Sequence, residues 1–260
     1  MRLKYCSLGS GSSGNLYLIS DGQTNIFVDL GIRCKYVKAF LDDLGMSFSD
    51  ISGALITHSH KDHTVGLPTT IKKFAVPAYM TQTCVKDAES RNRANIDRTS
   101  VRYFESGETF RIGTFTVTAY KVQHDTPDCH SFIIKSDNGV SLALSTDLGS
   151  VPSSLQNAMK ECDVVILESN YSLTMLPLSG YPLILQERIN SDHGHLSNDQ
   201  CAEVLKSLID TKVRYAHLAH ISKESNTQDI ALKYAQRIVG DKFHVSAFPR
   251  TSKSEIFEID

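Results

Sequence analysis

Ala54-Leu55-Ile56-Thr57-His58-Ser59-His60-Lys61-Asp62-His63 is the stretch whose reading decides this chain. Its first four residues are apolar or β-branched and of strand length. The histidines begin where that strand ends. On an extended stretch, residues two apart point the same way, so His58 and His60 can grip one cation together. A turn then delivers Asp62 and His63 to a second position nearby. Imidazole suits zinc, manganese or iron, and a carboxylate adds a hard oxygen. The bland alternative is a polar surface loop, but three histidines and an aspartate within six residues after an apolar strand are seldom that.

Four residues cannot complete two cation sites, so further ligands must come from distant parts of the chain. Suitable residues stand at the ends of other strand-like runs. His124 follows Phe115 to Gln123, Asp147 follows Leu142 to Thr146, and His220 follows Tyr215 to Ala219. Singly, each is an ordinary polar residue at a strand end. Together they supply the count that two divalent ions (Zn, Mn or Fe) need, with Asp147 able to bridge.

The rest of the chain provides the frame. Its 260 residues are 41% hydrophobic and 22% charged, as in a water-soluble globular protein with a substantial core. Further strand-like runs are Leu16 to Ile19, Ile26 to Asp29, Phe132 to Lys135 and Val164 to Leu167, bounded by turn residues such as Asp137-Asn138-Gly139. Helix-like segments lie between, at Lys35 to Leu44, Thr69 to Phe74, Gln82 to Arg91, Ser153 to Lys160, Asn198 to Ile209 and Thr227 to Ile238. Ser197 or Asn198 is a natural N-cap for the fifth. Strands in both halves, interleaved with helices, predict an α/β fold: two mixed β-sheets flanked by helices, as a four-layer αββα sandwich in one domain over residues 1–260.

Composition also bounds function. A net charge of −2 gives no global attraction to nucleic acid, so any polyanion site must be local. Six scattered cysteines without a CxxC pair read as free thiols of a reducing cytoplasm. The N-terminal residues lack a signal-peptide profile, and no apolar run is long enough for a membrane helix. No obligate protein partner is evident.

The order HxHxDH, then His124, Asp147 and His220, resembles the metallo-β-lactamase fold superfamily, across nearly the whole chain. The resemblance assigns His58, His60 and His124 to a first metal, Asp62, His63 and His220 to a second, and Asp147 to the bridge between them. Asp29, within Phe27-Val28-Asp29-Leu30-Gly31, matches the aspartate that orients the metal loop from behind. Aspartate instead of cysteine at position 147 points away from the antibiotic-hydrolysing branch. Ser10-Gly11-Ser12-Ser13-Gly14-Asn15, Leu167 to Tyr171, Gly194 to Asn198 and His220-Ile221-Ser222 are similar to segments of the bacterial YycJ/VicX/WalJ family. That family resembles metal-dependent nucleases and implies a 5′→3′ DNA exonuclease.

Glu168 and His195 are similar in placement to the glutamate–histidine pair of tRNA 3′-processing nucleases, in which a carboxylate-held histidine can protonate a departing sugar oxygen. The implied reaction is phosphodiester hydrolysis by a hydroxide bridging the two metals, with Asp62 orienting it. Ser12, Ser13, Asn15 and Arg188 are candidate phosphate contacts. Arg91, Arg93 and Arg98 could follow a nucleic-acid backbone, although such residues are more often a solvated helix face. His130, His193, His217 and His244 carry no assigned role, and the pattern around Thr126 to His130 does not map onto the family. Competing readings are a small-molecule hydrolase for cyclic phosphodiesters or thioesters, an RNA-processing nuclease, and a metal-stabilised module without turnover. The short span between Asp147 and His220 leaves no room for the extra domain that many nucleic-acid-processing relatives insert there.

Overall fold

The computed structural model describes residues 2–260. In the N-terminal half lie the strands β1 (Leu3–Gly9), β2 (Leu16–Ser20), β3 (Asn25–Val28), β4 (Gly53–Leu55), β5 (Ala78–Met80) and β6 (Val101–Tyr103). β7 (Thr109–Ile112), β8 (Phe115–Val122), β9 (Cys129–Ser136), β10 (Ser141–Ser145), β11 (Val164–Glu168), β12 (Tyr215–Ala219) and β13 (His244–Ala247) form the second sheet. The last strand, β14 (Phe257–Ile259), returns to the first sheet and pairs antiparallel with β1. Each sheet is antiparallel in one part and parallel in the other. The parallel parts are β3-β4-β5-β6 and β10-β11-β12-β13.

The helices are α1 (Cys34–Asp43), α2 (Lys61–Thr64), α3 (Leu67–Phe74), α4 (Gln82–Asn92), α5 (Ser153–Lys160), α6 (Leu183–Ile189), α7 (Asn198–Ser207) and α8 (Gln228–Val239). Alternation along the strands divides the apolar residues into three cores. Ile26 and Val28 of β3, Phe115 and Val117 of β8, and Val164 and Ile166 of β11 meet between the two sheets. Phe27 points the other way and packs with Val37, Leu41 and Ile71 of the helices over the first sheet. Val165 and Leu167 likewise pack with Leu155, Leu205 and Ala235 of the helices over the second. Three apolar interfaces require four layers, so the αββα sandwich follows from period-two burial.

The expected strands Phe115 to Val122 and Tyr215 to Ala219, and the helix Ser153 to Lys160, stand as read. Ser197 caps α7 through a reciprocal pair: its Oγ accepts from Gln200 N–H at 3.1 Å, and Gln200 Oε1 accepts from Ser197 N–H at 2.8 Å. The sequence reading named no strand at β5, β6, β7, β13 or β14 and no helix at α6, and the segment after His60 also differs from it. The turn expected after His60 is the one-turn helix α2, which carries Asp62 and His63. No helix among the described residues is long and apolar enough to cross a membrane.

Candidate metal centre

The carboxyl ends of β3, β4, β8, β10, β11 and β12 open on one edge of the sandwich; Glu168 closes β11, and the loops after the other strands supply Asp29, His58, His124, Asp147 and His220. Carboxyl ends of strands are where open α/β sheets leave room for ligands. Asp29, Asp147 and His220 all have left-handed backbones, with φ of 60°, 61° and 51°. That conformation turns the chain sharply at the strand end, so the side chain faces the neighbouring loop.

The candidate ligand atoms converge. His58, His60 and His124 form one group, and Asp62, His63 and His220 another; Asp147 joins His58 and His63 in a third set. His58 Nε2 lies 3.0 Å from His60 Nδ1. Asp147 faces both groups, with Oδ2 3.2 Å from His63 Nε2 and Oδ1 3.7 Å from His124 Nε2.

Each histidine is held by its other ring nitrogen. His63 Nδ1 donates to Asp29 Oδ2 at 2.7 Å, and Asp29 also accepts from Thr57 N–H at 2.9 Å. Thr57 Oγ1 donates to Asp29 and lies 3.0 Å from His58 Nδ1. His124 Nδ1 donates to the Gly194 carbonyl at 2.9 Å, and His220 Nδ1 lies 2.7 Å from Glu168 Oε1. His60 is reversed: its Nδ1 faces His58, and its Nε2 lies 3.3 Å from Asp125. These partners set the tautomers so that one nitrogen of each ring is presented inward.

Two observations test whether these residues fit divalent ions. Asp147 Oδ2 and His220 Nε2 are buried without a hydrogen-bond partner among the described residues, a costly state for atoms of this kind. The local field also favours positive charge. Burial pushes His63 down, but the charges of Asp29, Asp147 and Asp62 outweigh it and hold the ring well above its ordinary value. His220 is likewise opposed by burial yet raised to about 10 by Asp147, Asp62 and Glu168. A field that retains protons on buried imidazoles would equally hold a divalent cation in their place. On the other side, burial dominates and depresses His58 and His60, and brings His124 to about 4, so these rings are neutral and ready to ligate. The residues fit divalent metal ions.

Glu168 is fully buried, and its Oε1 meets His195 Nδ1 at 2.9 Å as well as His220. Its Oε2 accepts from Leu196 N–H at 3.0 Å and Leu148 N–H at 3.3 Å. Burial alone would raise this carboxyl, but both histidines bring it down to about 2, so it stays ionised at neutral pH. The other expected residues are distributed more unevenly. Ser12 and Ser13 are exposed and line a cavity of about 500 Å³ that opens on Asp62.

Asn15 must be corrected as a phosphate contact. It is buried, its Oδ1 accepts from Gly11 N–H at 2.9 Å, and its amide lies 2.9 Å from His63 Nε2. It braces the metal loop from within. Arg188 reaches the mouth of the site, but it is paired with Asp125 at 2.9 Å. Arg91 and Arg98 are committed to Asp87 and Glu89.

Of the unassigned histidines, His217 is structural, buried between Tyr5 and Ser246, and His130 bonds Ser106. His193 and His244 are exposed. Sequence reasoning missed Asp125. Its Oδ1 lies 3.3 Å from His60 and 3.1 Å from His124, and the only signal was its place directly after His124. The Gly194 carbonyl had no signal at all, because a backbone oxygen carries no residue type.

The fold is that of the metallo-β-lactamase class. A profile of the Beta-lactamase superfamily domain matches residues 34–221, and the chain belongs to that superfamily. Exodeoxyribonuclease YycJ of Bacillus anthracis is 29% identical over 242 residues, 93% of this chain and 91% of its own. Exodeoxyribonuclease WalJ of Streptococcus pneumoniae is 30% identical over 231 residues, 88% of this chain and 85% of its own. Among solved structures, the metallo-beta-lactamase fold protein YhfI of Bacillus subtilis shares the fold, with a TM-score of 0.75 at 17% identity over 100% of both chains. Superfamily and site together define a metal-dependent hydrolase.

Proposed function

We propose that this protein hydrolyses phosphodiester bonds of DNA as a 5′→3′ exonuclease holding two divalent ions, zinc, manganese or iron. The observation that carries the phosphodiester reading is the fixed pair of His195 and Glu168 beside the ligand cluster. An alkoxide leaving group needs a proton, whereas a thiolate does so far less. DNA as substrate is supported by the names of YycJ and WalJ, both exodeoxyribonucleases of nearly the same length.

His58, His60 and His124 would hold one ion, Asp62, His63 and His220 the other, and Asp147 would touch both. Bound there, the ions would polarise the phosphate and make a water nucleophilic at neutral pH. Asp62 Oδ2 lies 3.6 Å from His63 Nε2 and 3.7 Å from His220 Nε2, where it can orient the attacking water. His195, fixed through Nδ1, presents Nε2 to the leaving sugar oxygen and donates the proton. Glu168 remains anionic behind it and stabilises the charged imidazolium. Ser12, Ser13 and Lys61 border the same mouth and would bind a neighbouring phosphate. The free thiols found among the described residues accord with a cytoplasmic setting.

The deciding experiment incubates the protein with Mn²⁺ or Zn²⁺ and 5′- or 3′-labelled duplex DNA, single-stranded DNA and RNA, alongside a chromogenic phosphodiester and a thioester. Stepwise release of nucleotides from the 5′ end of DNA is expected. Turnover of the small substrates alone would overturn the nuclease reading.

A further inference from the structure

Two cavities adjoin beside the metal loop. One, of about 500 Å³, is lined by Ser12, Ser13, Arg33, Tyr36, Lys61 and Asp62. The other, of about 400 Å³, shares Ser13 and Tyr36 with it and extends to Arg250, ending at Asp43 and Lys253. They form one groove, which starts at a candidate metal ligand and runs outward along α1.

Its floor is firmly tied to the centre. Asn15 N–H donates to the Asp62 carbonyl at 2.8 Å, Gly31 N–H donates to Asn15 O at 2.8 Å, and a methyl group on Gly11 would strike the stem of Arg250 at 2.6 Å. The charges along the groove are unbalanced. Asp43 is neutralised by Lys253 at 2.9 Å, and Asp62 belongs to the metal cluster. Arg33, Lys61 and Arg250 have no acidic partner among the described residues, in contrast to Arg91, Arg98 and Arg188. Between these cations stands Tyr36, 55% exposed, with the Lys35 ammonium 4.6 Å from its ring centroid. An exposed aromatic ring among unpaired cations, in a groove leading to a hydrolytic centre, is the chemistry that receives a flexible polyanion with stacking faces.

We propose that this groove is the track of a single-stranded nucleic acid. Lys61 and Arg33 hold phosphates next to the scissile one, a base stacks on Tyr36, and Arg250 holds a phosphate further out. The inference rests on the nuclease reading for its direction, but it is tested by binding, which does not require turnover.

The test measures fluorescence anisotropy of a labelled oligothymidylate of about ten nucleotides. An oligouridylate and a duplex serve as comparison arms, all three with hydrolysis-resistant phosphorothioate linkages, across a salt series, with the metal-loaded protein. Tyr36→Ala should weaken binding of the single strand on the order of tenfold, the effect of one lost stacked base. Arg33→Ala with Arg250→Ala should lower the slope of log affinity against log salt by about 0.7 per cation removed. Lys233→Ala, which removes an exposed cation on α8, is the charge-matched control and should change neither. The unlabelled strand should also show a raised KM in the Tyr36→Ala protein, with a smaller change in kcat. Equal losses in the control and groove variants, or no loss at Tyr36, would overturn the track. If the wild type binds through Tyr36 but cleaves no DNA, the track stands and the nuclease reading falls. If it cleaves DNA and the groove variants bind normally, the reverse holds.

Discussion

Glu168 accepts from two imidazoles with one oxygen and from two backbone N–H groups with the other. Its charge therefore fixes both a metal-site histidine and the proposed proton donor. In Glu168→Gln the amide can no longer accept from all four, and metal affinity should fall about 10- to 100-fold, as read by competition with a chelating dye. His195→Ala separates the two roles. It should keep its metal content by elemental analysis, yet lose about 10²- to 10⁴-fold in kcat on DNA. Unimpaired hydrolysis by that variant would remove His195 from the reaction. Asp62→Ala should lose the second ion together with turnover. The candidate metal ligands were legible because histidine and aspartate at strand ends carry their chemistry in their residue type. Asp125 and Gly194 were not, because their roles exist only once distant loops meet.

At the scale of elements, the strands legible in the sequence were those lying in apolar or alternating runs of four residues or more, including the three-residue β4, which overlaps the run Ala54 to Thr57. β8 shows its period over eight residues, whereas β5, β6 and β14 have only three residues each and exist through pairing with their neighbours. The helix α6 was missed because it is short and only part of it is apolar on the inside: Leu183 and Ile184 are exposed, while Leu185 and Ile189 pack on a small separate cluster with Tyr171 and Leu176. The left-handed turns at Asp29, Asp147 and His220 were also invisible, since nothing in an aspartate or histidine announces φ > 0. Each costs about 1–3 kcal/mol, which the packed strands around it must offset. The metal loop depends on a different backbone fit. A Cβ on Gly31 would lie 1.6 Å from the Asp62 carbonyl oxygen and 2.6 Å from Asn15 N. Neither neighbour is a movable side chain, so Gly31→Ala should destabilise the protein by about 3 kcal/mol or more in urea denaturation. It should also weaken metal binding, because Asp62 must shift. Normal stability in that variant would mean that the loop can yield.

Across the whole molecule, the two sheets are stapled by Asp21 at the β2–β3 turn. Its carboxylate accepts from Thr114 Oγ1, from Ser136 Oγ at 3.1 Å, and from its own turn's Thr24 N–H at 2.9 Å. Burial opposes the charge, but these donors outweigh it and hold Asp21 below the ordinary carboxylate value. A depressed carboxyl contributes stability above its unfolded pKa of about 4, and this is lost as pH falls through the folded value. Asp21→Asn should therefore be less stable at neutral pH, with a smaller further loss between about pH 5 and 3; identical acid limbs in urea melts would refute the staple. Chelation acts on the opposite edge. Divalent ions at a hundredfold excess over Kd should add about 2.7 kcal/mol, visible as a fall in Tm when EDTA is added.

The return of β14 to β1 has a mechanical consequence. Leu3 faces Ile259, Lys4 faces Glu258 and Tyr5 faces Phe257, so the first and last strands lie antiparallel with the two chain ends side by side. A force applied between residues 2 and 260 therefore peels the ladder one pair at a time instead of shearing all its hydrogen bonds together. In an optical trap β14 should come away first and at low force. The second sheet, with the candidate ligands His124, Asp147 and His220, would still be folded behind it.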